Sequence, residues 1–324
     1  MGMTFTGRGR GKLLLFGEHA AVKGYPALGM ALDRSITITL EASASAGSWE
    51  LEGFEETEKA IARAVMKRID EAVADLPRGG SIRVKSDLPQ GRGFGSSAAL
   101  CVALADAALG AAGTPEAIRH RSLVWAIAHH AEAYFHGTPS GIDTGLATLG
   151  GLLSFRPRPP ELPEARRVRG WPLHLLVGSV PRAGDAKSLI ARVREAAKDE
   201  TSPASASLRR LGELAVGGTA LLETAVPDPA ALGGMALEAE AELDALGLAD
   251  PAIKSLLAIG TKAGALGGKM SGAGGGGAFW LVYASGEEAK EGADRLARQA
   301  EKNGLAPDLT LEVLEFSGAP HKAN

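Results

Sequence analysis

Apolar residues at Ile61, Val65, Ile69, Val73 and Leu76 recur at spacings of 4, 4, 4 and 3, the stripe of an amphipathic helix. Glu58, Lys59, Lys67 and Glu71 fall mostly on the opposite, wet face. On either side of this helix the period drops to two. Ile36-Thr37-Ile38-Thr39-Leu40 and Ile82-Arg83-Val84-Lys85 alternate apolar and polar positions and predict half-buried strands. From Ser96 to Leu109 nearly every residue is Ala, Leu, Val or Ser, which predicts a helix with no polar face, buried in the middle of a domain. Thr114-Pro115-Glu116 then reads as the N-cap, first-turn proline and dipole-favourable acid of a helix running toward His136.

Residues 156–170 carry four prolines, counting Pro163, and predict a long surface connection between strand-like segments. Trp171 to Val180 reads as a strand opening a second region. Helical stretches follow over 204–225, 228–246 and 250–264. After a glycine loop come the strand Ala278–Ala284, a helix over 286–303 and the strand Leu309–Phe316. Strands and helices in this irregular order predict an α+β chain whose two domains meet near residue 170, taken as 1–172 and 173–324.

Composition narrows the function. The 324 residues are 45% hydrophobic and 23% charged, a globular composition with room for one large domain or two ordinary ones. A net charge of −3 lacks the basic footprint that nucleic acid demands, so no nucleic-acid partner is expected. No run of eighteen apolar residues occurs, and no membrane partner is expected either. The apolar stretch Leu13 to Phe16, behind Arg8, Arg10 and Lys12, is too short for a secretory leader. The single cysteine, Cys101, excludes an intramolecular disulfide and fits a reducing, cytoplasmic location. Glycine is the outlier: its 43 residues are clustered without a repeat, and so mark loops.

One of those loops, Pro89-Gln90-Gly91-Arg92-Gly93-Phe94-Gly95-Ser96-Ser97-Ala98-Ala99, joins a strand to the buried helix. Glycines at alternate positions let the backbone approach a ligand and turn its N–H groups inward. The loop feeds a helix N-terminus, which suits phosphate, and Ser96 and Ser97 can cap the helix or reach a metal. It lacks the Gly-Lys-Ser/Thr end of a P-loop, and its third glycine falls one residue early for the dinucleotide fingerprint. A glycine turn with a serine cap is the other reading. In Gly11-Lys12-Leu13-Leu14-Leu15-Phe16-Gly17-Glu18-His19 an apolar strand runs out into an acid and an imidazole, a place where functional groups often sit. A surface lysine and a satisfied polar pair would give the same pattern.

A third segment, Glu132 to Asp143, ends a helix at Gly137 and delivers Asp143 from a turn. His129, Glu132 and His136 share a helical face, but without His-Glu-x-x-His spacing or a cysteine ligand they do not read as a zinc site. Finally, Lys269-Met270-Ser271-Gly272-Ala273-Gly274-Gly275-Gly276-Gly277 is either a flexible turn or a place where something must come very close.

In this order, and over nearly the whole chain, these segments resemble the small-molecule kinases grouped as galactokinase, homoserine kinase, mevalonate kinase and phosphomevalonate kinase, the GHMP kinases. They are most similar to the mevalonate kinase branch. Gly11-Lys12, Phe16-Gly17-Glu18-His19-Ala20-Ala21-Val22 and Gly24-Tyr25-Pro26-Ala27 resemble its opening motif, and His136-Gly137-Thr138-Pro139-Ser140-Gly141-Ile142-Asp143 its version of that segment. The Asp-Tyr pair that galactokinases carry soon after Glu-His is absent.

The resemblance implies an N-terminal α+β domain with a left-handed β-α-β unit, a ferredoxin-like C-terminal domain, and an active site in the cleft between them. It implies ATP as co-substrate with its phosphates on Pro89–Ala99. Mg²⁺ would be held by Ser97 and Glu132, two oxygen ligands that suit magnesium. Asp143 would take the proton from the C5 hydroxyl of mevalonate. An ordinary aspartate is a weak base for an alcohol; Lys12 would help by favouring the alkoxide-like state and the charge on the moving phosphoryl group. Glu18 and His19 would line the mevalonate side, and the small Ala273 would keep the cleft open. The resemblance also points to a homodimer.

Three departures bear on the substrate. The family's second-domain segment usually carries a threonine near the substrate, and Ala186 stands there, in Val180-Pro181-Arg182-Ala183-Gly184-Asp185-Ala186-Lys187. Thr144 follows Asp143 where Asn is common. Arg92 and Phe94 replace smaller or aliphatic residues, and Arg92 could add a phosphate contact or point to solvent. Arg182 is the candidate partner for the mevalonate carboxylate. The competing functions are another kinase of the group, such as a phosphomevalonate kinase, which would need extra cations at the acceptor, and a silent ligand sensor, which would predict damage to Lys12, Ser97, Glu132 or Asp143.

Overall fold

Every second residue from Gly7 to Gly11 is glycine, and that spacing lets the first strand lie directly on a helix backbone. A Cβ on Gly7 would stand 2.1 Å from the Ala103 carbonyl oxygen, and one on Gly9 would stand 2.0 Å from that of Ala99. Alanines answer the glycines: Ala98, Ala99, Ala103 and Ala107 are all fully buried. The contact is backbone on backbone, so Gly9→Ala should destabilise the fold by about 3 kcal/mol through overpacking. A lowered urea midpoint would register it; an unchanged midpoint would mean that strand and helix can part cheaply.

The computed structural model describes residues 3–43, 46–116, 118–182, 184, 186–305 and 307–318. The chain forms two compact units that interleave along the sequence: Met1–Lys12, Ala31–Pro89 and Gly95–Gly150 make one, and Leu13–Met30, Gln90–Phe94 and Gly151–Asn324 the other.

In chain order the elements of the first unit are β1 (Thr4–Phe16), β2 (Ala27–Ala42), β3 (Trp49–Glu52), α1 (Glu56–Asp70), β4 (Gly80–Ser86), α2 (Ser96–Ala111), α3 (Arg121–His136) and α4 (Ile142–Leu149). The end of β1 and the start of β2 belong to the second unit. β2 pairs antiparallel with β4, Ile38 opposite Val84 and Leu40 opposite Ile82, so the two alternating stretches face each other in register. β3 runs parallel to β4, with α1 as the crossover. Helix α1 starts where Glu58 reaches back to the Glu55 N–H at 2.7 Å. α2, hydrophobic all round, is enclosed by α1, α3 and α4.

The second unit holds β5 (Leu152–Arg158), β6 (Glu161–Arg167), β7 (Leu173–Val180), α5 (Ala186–Ala196), α6 (Pro203–Leu222), α7 (Pro229–Ala245), α8 (Pro251–Lys262), β8 (Gly267–Ser271), β9 (Gly277–Tyr283), α9 (Gly286–Lys302) and β10 (Thr310–Phe316). Its four-stranded sheet, in the order β10-β7-β9-β8, is antiparallel throughout, a ferredoxin-like arrangement with α5–α8 in the first crossover and α9 in the second. α6, α7 and α8 each begin at a Ser or Asp cap followed by proline, and Ser202, Asp228 and Asp250 all accept backbone N–H bonds. No helix among the described residues is long and apolar enough to cross a membrane.

Three local expectations are corrected. The proline-rich stretch 156–170 is not an open connection: β5 and β6 form an antiparallel hairpin turned at Pro159-Pro160. The prolines fit because the register shifts between Arg156 and Arg158, around Pro157, and because Pro163 lies on the edge strand β6. Thr114-Pro115 does not start α3. It makes a separate turn closed by the Ile118 and Arg119 N–H groups on the Pro115 carbonyl, and α3 begins after His120. Ser96 and Ser97 do not cap α2, whose N-cap is Gly95 at φ 76°.

Candidate active site

In the first unit the chemistry gathers around Lys12. Its side chain is only 4% exposed, and Nζ lies 3.2 Å from Oδ2 of Asp143, which is 29% exposed. Gly95 makes room for it: a Cβ there would stand 2.6 Å from Lys12 Cγ. Asp143 sits in the first turn of α4, where the helix dipole favours a carboxylate. That turn is pinned from α3, because Trp125 Nε1 donates to the Gly141 carbonyl at 2.9 Å.

Glu132, in the last turns of α3, is 2% exposed. Oε2 accepts from Thr144 Oγ1 at 3.2 Å, whereas Oε1 is buried with no hydrogen-bond partner among the described residues. Burial, and after it the charge of Asp143, push the carboxyl up to about 8; Thr144 and Lys12 oppose this less strongly. A carboxylate in that position is short of positive charge, which an oxygen-seeking cation would supply. Ser97 stands one helical turn before Cys101 on α2. Cys101 is near enough to Glu132 for that carboxylate to add to the rise of its thiol pKa, which burial dominates. Ser97 and Glu132 both offer oxygen ligands of the kind magnesium takes. Among the described residues no group of three or more His, Cys, Asp or Glu is placed to hold a metal ion.

In the second unit β1 runs out at Phe16 into a tight turn, with Gly17 at φ 92° and His19 at φ 59°. A histidine in the left-handed region is uncommon enough to need an anchor. His19 Nε2 lies 3.0 Å from the Ala273 carbonyl oxygen. Burial brings the imidazole pKa down to about 4; the Ala273 bond opposes this, and the charges of Arg192 and Lys269 add to it. The ring is thus neutral at pH 7 and donates through Nε2, which leaves Nδ1 a bare acceptor, buried and unpartnered among the described residues. Beside it Glu18, 1% exposed, is paired with the fully buried Lys269 at 2.5 Å.

Other segments singled out in the sequence meet in this unit. A Cβ on Gly93 would stand 2.6 Å from the Ala278 nitrogen, one on Gly276 would stand 2.5 Å from the Pro181 oxygen, and one on Gly277 would stand 3.1 Å from Arg182 Nη2. Gly274 and Gly276 of the 269–277 run stand where backbones touch, the first with a Cβ position 2.7 Å from the Leu248 oxygen. Arg92 Nη1 donates to the Asp308 carbonyl at 2.6 Å. Ala186 is the first residue of α5, while Ala183 and Asp185 lie outside the described residues.

Around Pro89–Ala99 the placements differ from residue to residue. Gly91, Gly93 and Gly95 all take positive φ, as alternating backbone cradles do. Pro89 has no N–H to offer, Gln90 is exposed, and Phe94 is buried. Ala98 and Ala99 are fully buried, and the Ala99 N–H is spent on the Gly95 carbonyl. Ser96 and Ser97 are half-buried in the first turn of α2. Residues that sequence reading missed are Thr144, read only as a departure from Asn, and Lys269 and Glu240. A charged residue inside a glycine-rich run was the available signal for Lys269.

Comparison with known proteins adds a family. Residues 59–151 match the GHMP kinases N terminal domain, and residues 220–302 match the GHMP kinases C terminal domain. The two matches fall one in each of the segments 1–172 and 173–324. A mevalonate kinase of Thermococcus sibiricus is 28% identical over 301 residues, covering 84% of this chain and 86% of that one. Among solved structures, an L. major mevalonate kinase in complex with R-mevalonate superposes with a TM-score of 0.81 at 21% identity, over 97% of each chain. A Streptococcus pneumoniae phosphomevalonate kinase gives 0.74 at 15%, over 97% of this chain and 100% of its own. At those identities the structures speak for the fold alone. With both of its terminal domains matched in order, and with the four motifs in place, the chain belongs to the GHMP kinases.

Proposed function

We propose that the protein is an ATP-dependent mevalonate kinase, transferring the γ-phosphoryl group of ATP to the C5 hydroxyl of mevalonate. The observation that carries the reading is the Lys12–Asp143 pair, a buried ammonium 3.2 Å from a carboxylate that keeps access to solvent. The hydroxyl oxygen forms the new bond to the γ-phosphorus as the bond to the β-phosphate oxygen breaks, ADP leaves, and the hydroxyl proton goes to Asp143. Lys12 holds Asp143 in place and favours negative charge on the attacking oxygen and on the phosphoryl group in transit. The N–H groups of the first turn of α2, behind the positive-φ glycines, suit the ATP phosphates.

Ser97 and Glu132 would hold Mg²⁺, and the orphaned, buried Oε1 of Glu132 supports that assignment. Mg²⁺ held there would offset the negative charge of the ATP phosphates. His19, through its bare Nδ1, and Ala273 belong to the mevalonate side, with Arg182 as candidate for the carboxylate. Relatives named as mevalonate kinases, alike along most of the chain, support mevalonate over other acceptors. The same reading takes the enzyme to be a cytoplasmic homodimer with family segments 1–172 and 173–324.

The test is ADP release with ATP and Mg²⁺, with mevalonate, homoserine or galactose as acceptor, and the product identified by mass. Turnover confined to mevalonate, giving a singly phosphorylated product, supports the reading. Preference for galactose or homoserine overturns the substrate, and ATP binding without turnover of any acceptor overturns the enzyme in favour of a sensor.

A further inference from the structure

Lys269 is the fully buried lysine of an edge strand, and nothing in the proposed chemistry uses it. Its Nζ meets Glu18 Oε1 and the Met270 carbonyl oxygen, each at 2.5 Å. An apolar residue of similar length would fill the space without the desolvation cost of an ion pair. The placement of the pair explains why a charge stands there. β8 is tied residue by residue: Lys269 to Glu18, the Met270 N–H to Glu240 Oε2 at 2.8 Å, and Ser271 Oγ to the Leu14 N–H at 2.9 Å. Two residues on, the Ala273 carbonyl takes the His19 imidazole. Leu14, Glu18 and His19 are thus held by Ser271, Lys269 and Ala273, and the bonds bracket the turn in which Gly17 and His19 both have positive φ.

The Ala273 bond fixes one ring nitrogen of His19, and the backbone of the turn must be fixed separately for the other nitrogen to point one way. Within the second unit, Glu18 on Lys269 is the side-chain contact that does this, next in sequence to the histidine. We propose that Lys269 is a positioning residue: through Glu18 it holds the Gly17–His19 turn so that Nδ1 of His19 is presented as an acceptor to a hydroxyl of the acceptor substrate. The proposal rests on the kinase reading. It makes Glu18 a holder of the turn instead of a lining residue, and it places the effect on acceptor affinity, leaving the transfer step to Lys12 and Asp143.

The test is the double variant Glu18→Gln/Lys269→Met, which removes both buried charges together and strands neither. With folding confirmed by thermal melting, KM for mevalonate should rise about tenfold while kcat and KM for ATP stay within about twofold, the split expected when uniform binding is lost. A long-range ¹H–¹⁵N spectrum of the imidazoles, with His19 assigned by its absence in His19→Gln, reads the tautomer directly. The intact enzyme should show a single Nε2–H form and the double variant a mixture. A folded double variant with unchanged KM and an unchanged His19 signal overturns the proposal and leaves the pair a matter of stability. Should the double variant not fold, Glu18→Gln alone keeps an oxygen for Lys269, and a smaller rise in KM is expected; no rise overturns the proposal. Should the wild-type chain not turn over mevalonate, the kinase reading fails, and the His19 signal still decides whether Lys269 holds the turn.

Discussion

Asp143→Asn should lower kcat with mevalonate about a thousandfold, within the range that a positioned general base supplies. Asparagine keeps the shape and still offers an oxygen to Lys12, so the 3.2 Å contact has a replacement and the α4 turn keeps its Trp125 anchor. What disappears is the group proposed to take the hydroxyl proton. ATP affinity should change little, because the Gly91–Gly95 cradle and the first turn of α2 are untouched. Steady-state kinetics with mevalonate, set beside nucleotide binding by calorimetry, separates these effects. A variant with near-normal kcat would show that Asp143 neither takes the proton nor positions the nucleophile.

Lys12→Met should cost about a hundredfold in kcat, the scale seen when one preorganised electrostatic contact to a developing charge is removed. Methionine fills the space beside Gly95 with an unbranched apolar chain and leaves Asp143 in reach of solvent, so the fold should survive. Lys12→Arg should not restore the rate. Lys12 Cγ already lies where a Cβ on Gly95 would clash at 2.6 Å, and a planar guanidinium needs more room than an ammonium. If the two residues act on one proton and one oxygen, as proposed, the double variant Lys12→Met/Asp143→Asn should be scarcely slower than Asp143→Asn alone. Losses that multiply fully would show that Lys12 and Asp143 act on different steps.

The residues of both constellations were legible in the sequence because each lies where a regular element ends. Lys12 and Glu18 flank the apolar end of β1, Ser97 opens α2, and Asp143 follows Gly141. How they would be bonded was not legible. Whether Glu18 turned to a ligand or to Lys269 depended on β8, and β8 gave no periodic signal: its five residues, Gly-Gly-Lys-Met-Ser, are all buried, with no polar alternate. Gly267 is there for α7, since a Cβ on it would stand 2.1 Å from the Gly233 oxygen, and Gly268 for β9, since a Cβ on it would stand 2.3 Å from the Trp280 oxygen. α4 has only eight residues and α5 buries only Val193, too little for a helical stripe to stand out. The hairpin β5–β6 was hidden by prolines that an edge strand tolerates. The helices α6, α7 and α8 were plain, each opening on a cap-proline pair and sustaining an apolar face for three turns or more.

The claim that the acceptor is mevalonate meets its sharpest contest from the next phosphorylated intermediate, because a phosphomevalonate kinase shares the fold at a TM-score of 0.74. The measurement is kcat/KM for mevalonate and for 5-phosphomevalonate, side by side, with ATP and Mg²⁺ saturating. With Lys269 spent on Glu18, Arg192 donating to the Gly247 carbonyl and Arg182 the candidate for the carboxylate that both acceptors carry, the acceptor side has little to offer an added phosphate. Mevalonate should therefore win by at least about a hundredfold, the cost of an unpaired charged group in a closed site. Equal turnover, or a preference for the phosphorylated acceptor, would contradict the account.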